Sequence, residues 1–142
     1  MSQDKSAPPK ENPTGGNSVL VADADASLRS SIVNYLKQGD YCAVEVADGL
    51  KATAAIAKEH YDLALISQEI PSKSSVEVLA DAIKKQPGIK IVITSAKPTA
   101  DSLAECMKLG AFDYLTAPFT NEELGKVIDE AFGRKKLPET AK

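Results

Sequence analysis

Residues 63–94, LALISQEIPSKSSVEVLADAIKKQPGIKIVIT, decide the fold. They open on the apolar run Leu63–Ile66 and close on a second, mostly apolar one, Ile89–Thr94. Runs of four to six apolar residues are what strands buried on both faces look like. Between them Val76, Leu79, Ala80 and Ile83 recur at i, i+3, i+4 and i+7, a helical stripe. Ser74 with Glu77 predicts a capping box at the start of that helix. Gly88 falls where the chain must turn before the next strand. The stretch is one strand–helix–strand unit, with parallel strands and a right-handed crossover.

The same alternation extends in both directions. Further strand-like runs are Val19–Ala22, Ala43–Ala47 and Phe112–Leu115. Leu28, Ile32, Tyr35 and Leu36 line a first helix, and Leu124, Val127, Ile128, Ala131 and Phe132 a last one. Thr120 with Glu123 predicts a second capping box, and Gly39 and Gly110 follow helical runs. Five strand–helix units in strict order predict an α/β fold with helices on both faces of one parallel sheet. The expected architecture is a flavodoxin-like three-layer (βα)5 sandwich with strand order 2-1-3-4-5. Chemistry in such a sheet belongs at the carboxyl ends of the strands, beside the switch point between the first and third.

Length and charge set the outer limits. A chain of 142 residues suggests one core. Residues 1–17 (MSQDKSAPPKENPTGGN) hold almost no apolar side chains and read as a flexible tail. Residues 134–142 (RKKLPETAK) carry a net +3 and read as a second tail or a linker. The domain expected at 18–133 therefore has 11 basic and 17 acidic side chains, a net of −6. That balance argues against nucleic-acid binding, and no helix-turn-helix pattern follows residue 133. No apolar run reaches the roughly 20 residues of a membrane span, and no apolar signal core precedes Asn17. A cytoplasmic protein without membrane association is expected. Two Cys, at 42 and 106, and a single His cannot build the usual zinc clusters. Both thiols are expected to be free and buried, and no cofactor is implied.

The strand ends carry Asp23-Ala24-Asp25 after the first strand and Ser67-Gln68-Glu69-Ile70-Pro71 after the third. Thr94-Ser95-Ala96 ends the fourth, and Tyr114-Leu115-Thr116-Ala117-Pro118-Phe119 runs out of the fifth. Here the sequence resembles the receiver domain of bacterial response regulators over about residues 18–133. The run from Gly110 to Thr116 followed by Pro118-Phe119 carries the likeness, with Asp62–Ile66 before Pro71 and with Ala47-Asp48-Gly49.

That resemblance implies a pocket chemistry. An acidic pair after the first strand holds Mg²⁺, and an Asp ending the third takes a phosphoryl group. A Ser or Thr after the fourth strand bonds a phosphoryl oxygen, and a Lys before the Pro after the fifth pairs with the phosphate. Carried over residue by residue, the pocket is degenerate. Asp23 matches the first acid, but Ala24 replaces the second. Ser67 stands at the acceptor position and Ala117 at the Lys position. Ser95 matches the hydroxyl, and Tyr114 the aromatic switch position coupled to it. No catalytic residue and no enzyme activity are expected. Asp23 alone is a poor Mg²⁺ ligand, and Ser67 lacks a neighbouring base to make it a nucleophile.

The remaining candidates have simpler roles. Asp25 suits a helix N-cap better than a metal ligand. His60 is placed at the end of the second helix, where a cation suits the helix dipole. Leu50 reads as an exposed apolar residue or a small contact patch. Glu69 and Lys97 are expected to pair across the pocket mouth. By resemblance the Ala117–Pro118 bond is expected to be cis. The function expected is a phosphorylation-independent pseudo-receiver in two-component signalling and phosphorelay. It would work by protein–protein contact through the fourth helix, fifth strand and fifth helix (parts of 97–109, Tyr114 and 120–132). The alternatives are a flavodoxin-like small-ligand domain, or a residual phosphorelay receiver that uses Asp23 or Glu69 as acceptor.

Overall fold

The computed structural model describes residues 17–133. The expectations for the two tails lie outside those residues. Ten elements alternate without exception: β1 Ser18–Ala22, α1 Ala26–Gln38, β2 Cys42–Val46, α2 Gly49–Lys58, β3 Leu63–Ser67, α3 Ser75–Lys85, β4 Lys90–Ser95, α4 Ala100–Lys108, β5 Asp113–Thr116 and α5 Asn121–Ala131. All four strand pairings are parallel, and the sheet order is β2-β1-β3-β4-β5. This is the expected fold, with strand boundaries shifted by about one residue.

Successive side chains of a strand point to opposite faces, so a strand covered on both faces needs apolar residues at consecutive positions. Val19, Val21, Leu63, Leu65 and Val92 point to one face, where they pack against Ile32, Val33 and Leu36 of α1 and Leu124, Val127 and Ile128 of α5. Leu20, Ala22, Ala64, Ile66, Ile91 and Ile93 point to the other, towards Ala52 and Ile56 of α2, Val78, Leu79 and Ala82 of α3, and Cys106 of α4. Strand β3 is buried along its whole length, whereas the edge strands β2 and β5 are only partly covered.

Helix starts are set by side-chain caps. Asp25 accepts the N–H groups of Ser27 (3.0 Å) and Leu28 (3.1 Å), so it is the α1 N-cap expected of it. The full Thr120–Glu123 box opens α5. At α3 only half of the expected box forms, with Ser74 accepting from the Glu77 amide at 3.2 Å. A second full box, Thr99 with Ser102, opens α4. A hydroxyl rather than a carboxylate closes it, so the usual S/T-x-x-E/Q pattern does not flag it.

Three expectations need correction. The buried face of α3 is Ser75, Val78, Leu79 and Ala82, while Ala80 is exposed and Val76 and Ile83 only half-buried. Apolar residues at 76, 78, 79, 80, 82 and 83 allow two overlapping stripes, and packing against the sheet and α2 selects one. His60 lies beyond the end of α2 and meets Asp62 at 3.0 Å instead of the helix carbonyls. Cys106 is buried, but Cys42 sits on an edge strand and is only half-buried.

Gly49, the first residue of α2, sits directly under the backbone carbonyl of Lys73, and its N–H donates to Pro71 O at 2.9 Å. A Cβ at this position would collide with that carbonyl. Gly88 has open space around it. Gly49→Ala is therefore expected to lower unfolding free energy by about 1–3 kcal/mol, and Gly88→Ala to stay within about 0.5 kcal/mol of the parent. Denaturant midpoints of the two variants measure the contrast.

Candidate functional site

The carboxyl ends of β1, β3 and β4 bring Asp23, Ser67 and Ser95 to one end of the sheet. These side chains are nearly closed to solvent, at 6%, 7% and 1% exposure. Ala24 is exposed and Ala117 half-buried. The Ala117 N–H donates to the Ser95 carbonyl at 2.8 Å, and Ala117–Pro118 is cis, as expected.

Asp23 is held in place by its backbone and turned to a local task. Its N–H donates to Val46 O (3.1 Å), and its carbonyl accepts from Arg29 Nη1 (2.8 Å). Its carboxylate accepts the Asp25 N–H at 2.9 Å. Burial pushes this carboxyl above the ordinary aspartate range. The Asp25 amide bond opposes that rise, the charges of Asp25 and Glu69 add to it, and Arg29 offsets a little. Arg29 also pairs with Glu45 on β2 at 2.8 Å.

The loop after β3 lies across the ends of β3 and β4. Gln68 N–H donates to Thr94 O (2.7 Å), and Glu69 N–H donates to Ser67 Oγ (3.2 Å). Ser95 Oγ donates to Glu69 Oε2 at 2.6 Å and accepts the Lys97 N–H at 3.0 Å. The Ala96 N–H reaches Glu69 Oε1 at 3.4 Å. The expected Glu69–Lys97 ion pair is thus replaced. The Ser95 hydroxyl and the Ala96 amide lie nearer the carboxylate, and Lys97 contributes its backbone to Ser95.

Tyr114 is half-buried, packed on the core face shared by α2, α3 and α4. Its hydroxyl donates to Gln68 Oε1 and meets Ser102 Oγ at 3.1 Å. Gln68 and Ser102 were not singled out from the sequence. Gln68 looks like an ordinary loop residue, and Ser102 sits inside a capping pattern that lacks the usual carboxylate.

The loop after β3 continues into the turn Pro71–Ser74, which packs on the start of α2. Ser72 has φ +70°, a left-handed conformation that favours glycine. Its hydroxyl compensates locally by donating to Asp48 Oδ1 (3.1 Å) and accepting the Leu50 N–H (3.1 Å). Asp48 caps α2 through the Lys51 amide, and that hydrogen bond holds its carboxyl below the usual range. The Ala47-Asp48-Gly49 motif therefore ties the start of α2 to the loop after β3. Leu50 is exposed beside it. Among the described residues, no group of three or more His, Cys, Asp or Glu side chains is placed to hold a metal ion. No described helix is long and apolar enough to cross a membrane.

A doubly wound five-stranded parallel sheet, with Asp23, Ser67 and Ser95 gathered at the carboxyl ends of its central strands, defines the class. Residues 19–129 match the response regulator receiver domain family, and the chain belongs to it. The phosphate regulon transcriptional regulatory protein PhoB of Pseudomonas aeruginosa is 31% identical over 112 residues, which cover 77% of this chain and 48% of that one. Sporulation initiation phosphotransferase F of Bacillus subtilis is 26% identical over 110 residues, 78% of this chain and 89% of that one. The chain spans less than half the length of several curated relatives it matches, PhoB among them. A receiver domain protein from Methanospirillum hungatei superposes with TM-score 0.80 at 24% identity, covering 82% of this chain and 94% of that one.

The raised carboxyl of Asp23 gives a pH signature. An acid whose folded-state pKa lies above its unfolded value costs stability as pH rises from the ordinary aspartate range through the raised value. Above that window the cost is complete, and below it the cost vanishes. Asp23→Asn keeps an oxygen for the Asp25 amide and removes the charge. Its denaturant midpoint is expected to exceed the parent's at pH 7, with the gain shrinking as pH falls into the ordinary aspartate range.

Proposed function

We propose that this chain is a pseudo-receiver: a signalling domain of the receiver family that works without aspartyl phosphorylation, by contact with another protein. The observation that carries this reading is the makeup of the strand ends. Ser67, not a carboxylate, closes β3, and its hydroxyl accepts a hydrogen bond from its own loop. Ala24 stands beside Asp23, and Ala117 precedes the cis proline. An acyl phosphate needs a carboxylate to carry it and cations to neutralise its oxygens. Neither the acceptor nor the lysine is present at the matching positions.

Mg²⁺, which the family implies, does not suit these residues. It takes six oxygens in near-octahedral geometry and favours carboxylates. Asp23 is a buried carboxyl with a raised pKa that already accepts a backbone amide, and Glu69 is turned to Ser95 and Ala96. A neighbouring structure, the receiver domain of a sensor histidine kinase from Pseudomonas aeruginosa (22% identical, TM-score 0.75), is described with a magnesium ion in its active-site cleft.

Contact is assigned to the surface of α4, β5 and α5. Leu103 and Met107, one turn apart on α4, are exposed together with Leu109. A partner burying these side chains would gain about 25 cal/mol for each Å² of apolar surface covered. In this reading the domain is not an enzyme, takes no cofactor, and acts in the cytoplasm within two-component signalling.

The test is phosphorylation with acetyl phosphate and Mg²⁺, read by intact mass. No phosphoryl adduct is expected on the parent chain. Restoring the chemistry with Ala24→Asp, Ser67→Asp and Ala117→Lys together is expected to create an acid-stable, base-labile adduct on residue 67. An adduct on the unaltered chain, at Asp23, Glu69 or elsewhere, overturns the proposal.

A further inference from the structure

The strand ends contain an anion cradle that already has an occupant. Ser95 Oγ and the Ala96 N–H are two donors at the end of β4, and they converge on the two oxygens of one carboxylate, Glu69. The 2.6 Å hydroxyl bond lies within the range of a charge-assisted O–H···O⁻ contact. The Ser95 hydroxyl accepts the Lys97 N–H at 3.0 Å on one lone pair and gives its single proton to the carboxylate, which can only accept. Ser95 itself is almost completely buried, so the cradle is fixed by the sheet and is not a mobile surface group.

We propose that Glu69 is a built-in anion. It fills a site of the carboxylate and phosphate class and so closes it to anions from solution. The proposal rests on the pseudo-receiver reading, in which no phosphoryl group is delivered to this pocket. Glu69 competes as part of the same chain, so its effective concentration is far above that of a free anion at ordinary levels.

Filling the cradle also has a mechanical effect. Gln68 precedes Glu69, and its side chain accepts the Tyr114 hydroxyl, which also meets Ser102 at the first turn of α4. The Gln68 N–H is bonded to Thr94 O beside Ser95. The bond from Glu69 to Ser95 therefore helps fix Gln68, one of the two residues that hold Tyr114, and Tyr114 belongs to the surface assigned to the partner. Glu69 is a positioning residue for that surface.

The experiment compares the whole chain with Glu69→Ala and Glu69→Gln. Inorganic phosphate is the probe, the Ala96 and Lys97 amide resonances report the cradle, and fluorotyrosine labelling reports Tyr114, assigned with Tyr114→Phe. Glu69 is on the surface, so both variants should fold, and Glu69→Gln keeps the side-chain shape. The parent amides are expected to ignore phosphate. In both variants they should shift saturably at millimolar phosphate, with at least about tenfold tighter apparent binding than the parent. The Tyr114 signal should move in Glu69→Ala and return towards the parent position when phosphate is added. Equal phosphate response in parent and variants, or an unmoved Tyr114 signal in Glu69→Ala, overturns the proposal. Acetyl phosphate treatment of the same parent sample separates the two readings. A covalent adduct would sink the pseudo-receiver assignment, whereas the cradle is judged on the non-covalent titration alone.

Discussion

Strand β3 is surrounded on all sides, and the rest of the molecule is arranged around that enclosure. Its backbone pairs with β1 on one edge and β4 on the other, so its polar groups are satisfied without water. Leu63 and Leu65 face α1 and α5, and Ala64 and Ile66 face α2, α3 and α4. The strand ends at Ser67, still buried, where the chain must leave the sheet. Whatever follows must supply hydrogen bonds for an exit from a dry interior. The Ser67–Glu69, Gln68–Thr94 and Glu69–Ser95 bonds do this, and they make the candidate site part of the solution to burying the strand.

The fold was legible because its signals are local and redundant. Four apolar runs and the fifth at Phe112–Leu115 each match a strand to within a residue, and alternation with helices leaves few topologies open. Legibility failed where a pattern admitted two solutions. The crowded apolar sequence of α3 did not say which stripe packs, and tertiary packing against the sheet and α2 decides it. Asp23, Ser67, Ser95 and Ala117 could be placed because each sits at or just past the carboxyl end of a strand, and Tyr114 because it lies in the motif that runs out of β5. Their partners were less legible. A charge rule pairs Glu69 with Lys97, but the nearest donors were a hydroxyl and a backbone amide, and backbone donors leave no trace in residue types. Gln68 and Ser102 were missed for the same reason: their roles depend on direction, not composition.

Two side chains show how a local sequence choice becomes a tertiary link. Arg29 lies on α1, yet it binds the Asp23 carbonyl and Glu45 of β2, joining helix, pocket and edge strand. Ser72 adopts a backbone shape suited to glycine and compensates through Asp48 and Leu50. Each ties a loop of the pocket to an element outside it. A change at either residue is therefore felt both in the pocket wall and in the packing behind it.

The sheet has two open margins, and both are poor templates for another strand. The β2 edge is five residues long and carries Glu45 in its ion pair with Arg29; the β5 edge is four residues and begins with Asp113. Short margins with acidic side chains disfavour pairing of sheets from separate molecules. Self-recognition through backbone ladders is thereby discouraged, and encounters are diverted to helical surfaces. There, side-chain shape and charge can distinguish one companion from another, as a bare strand edge cannot.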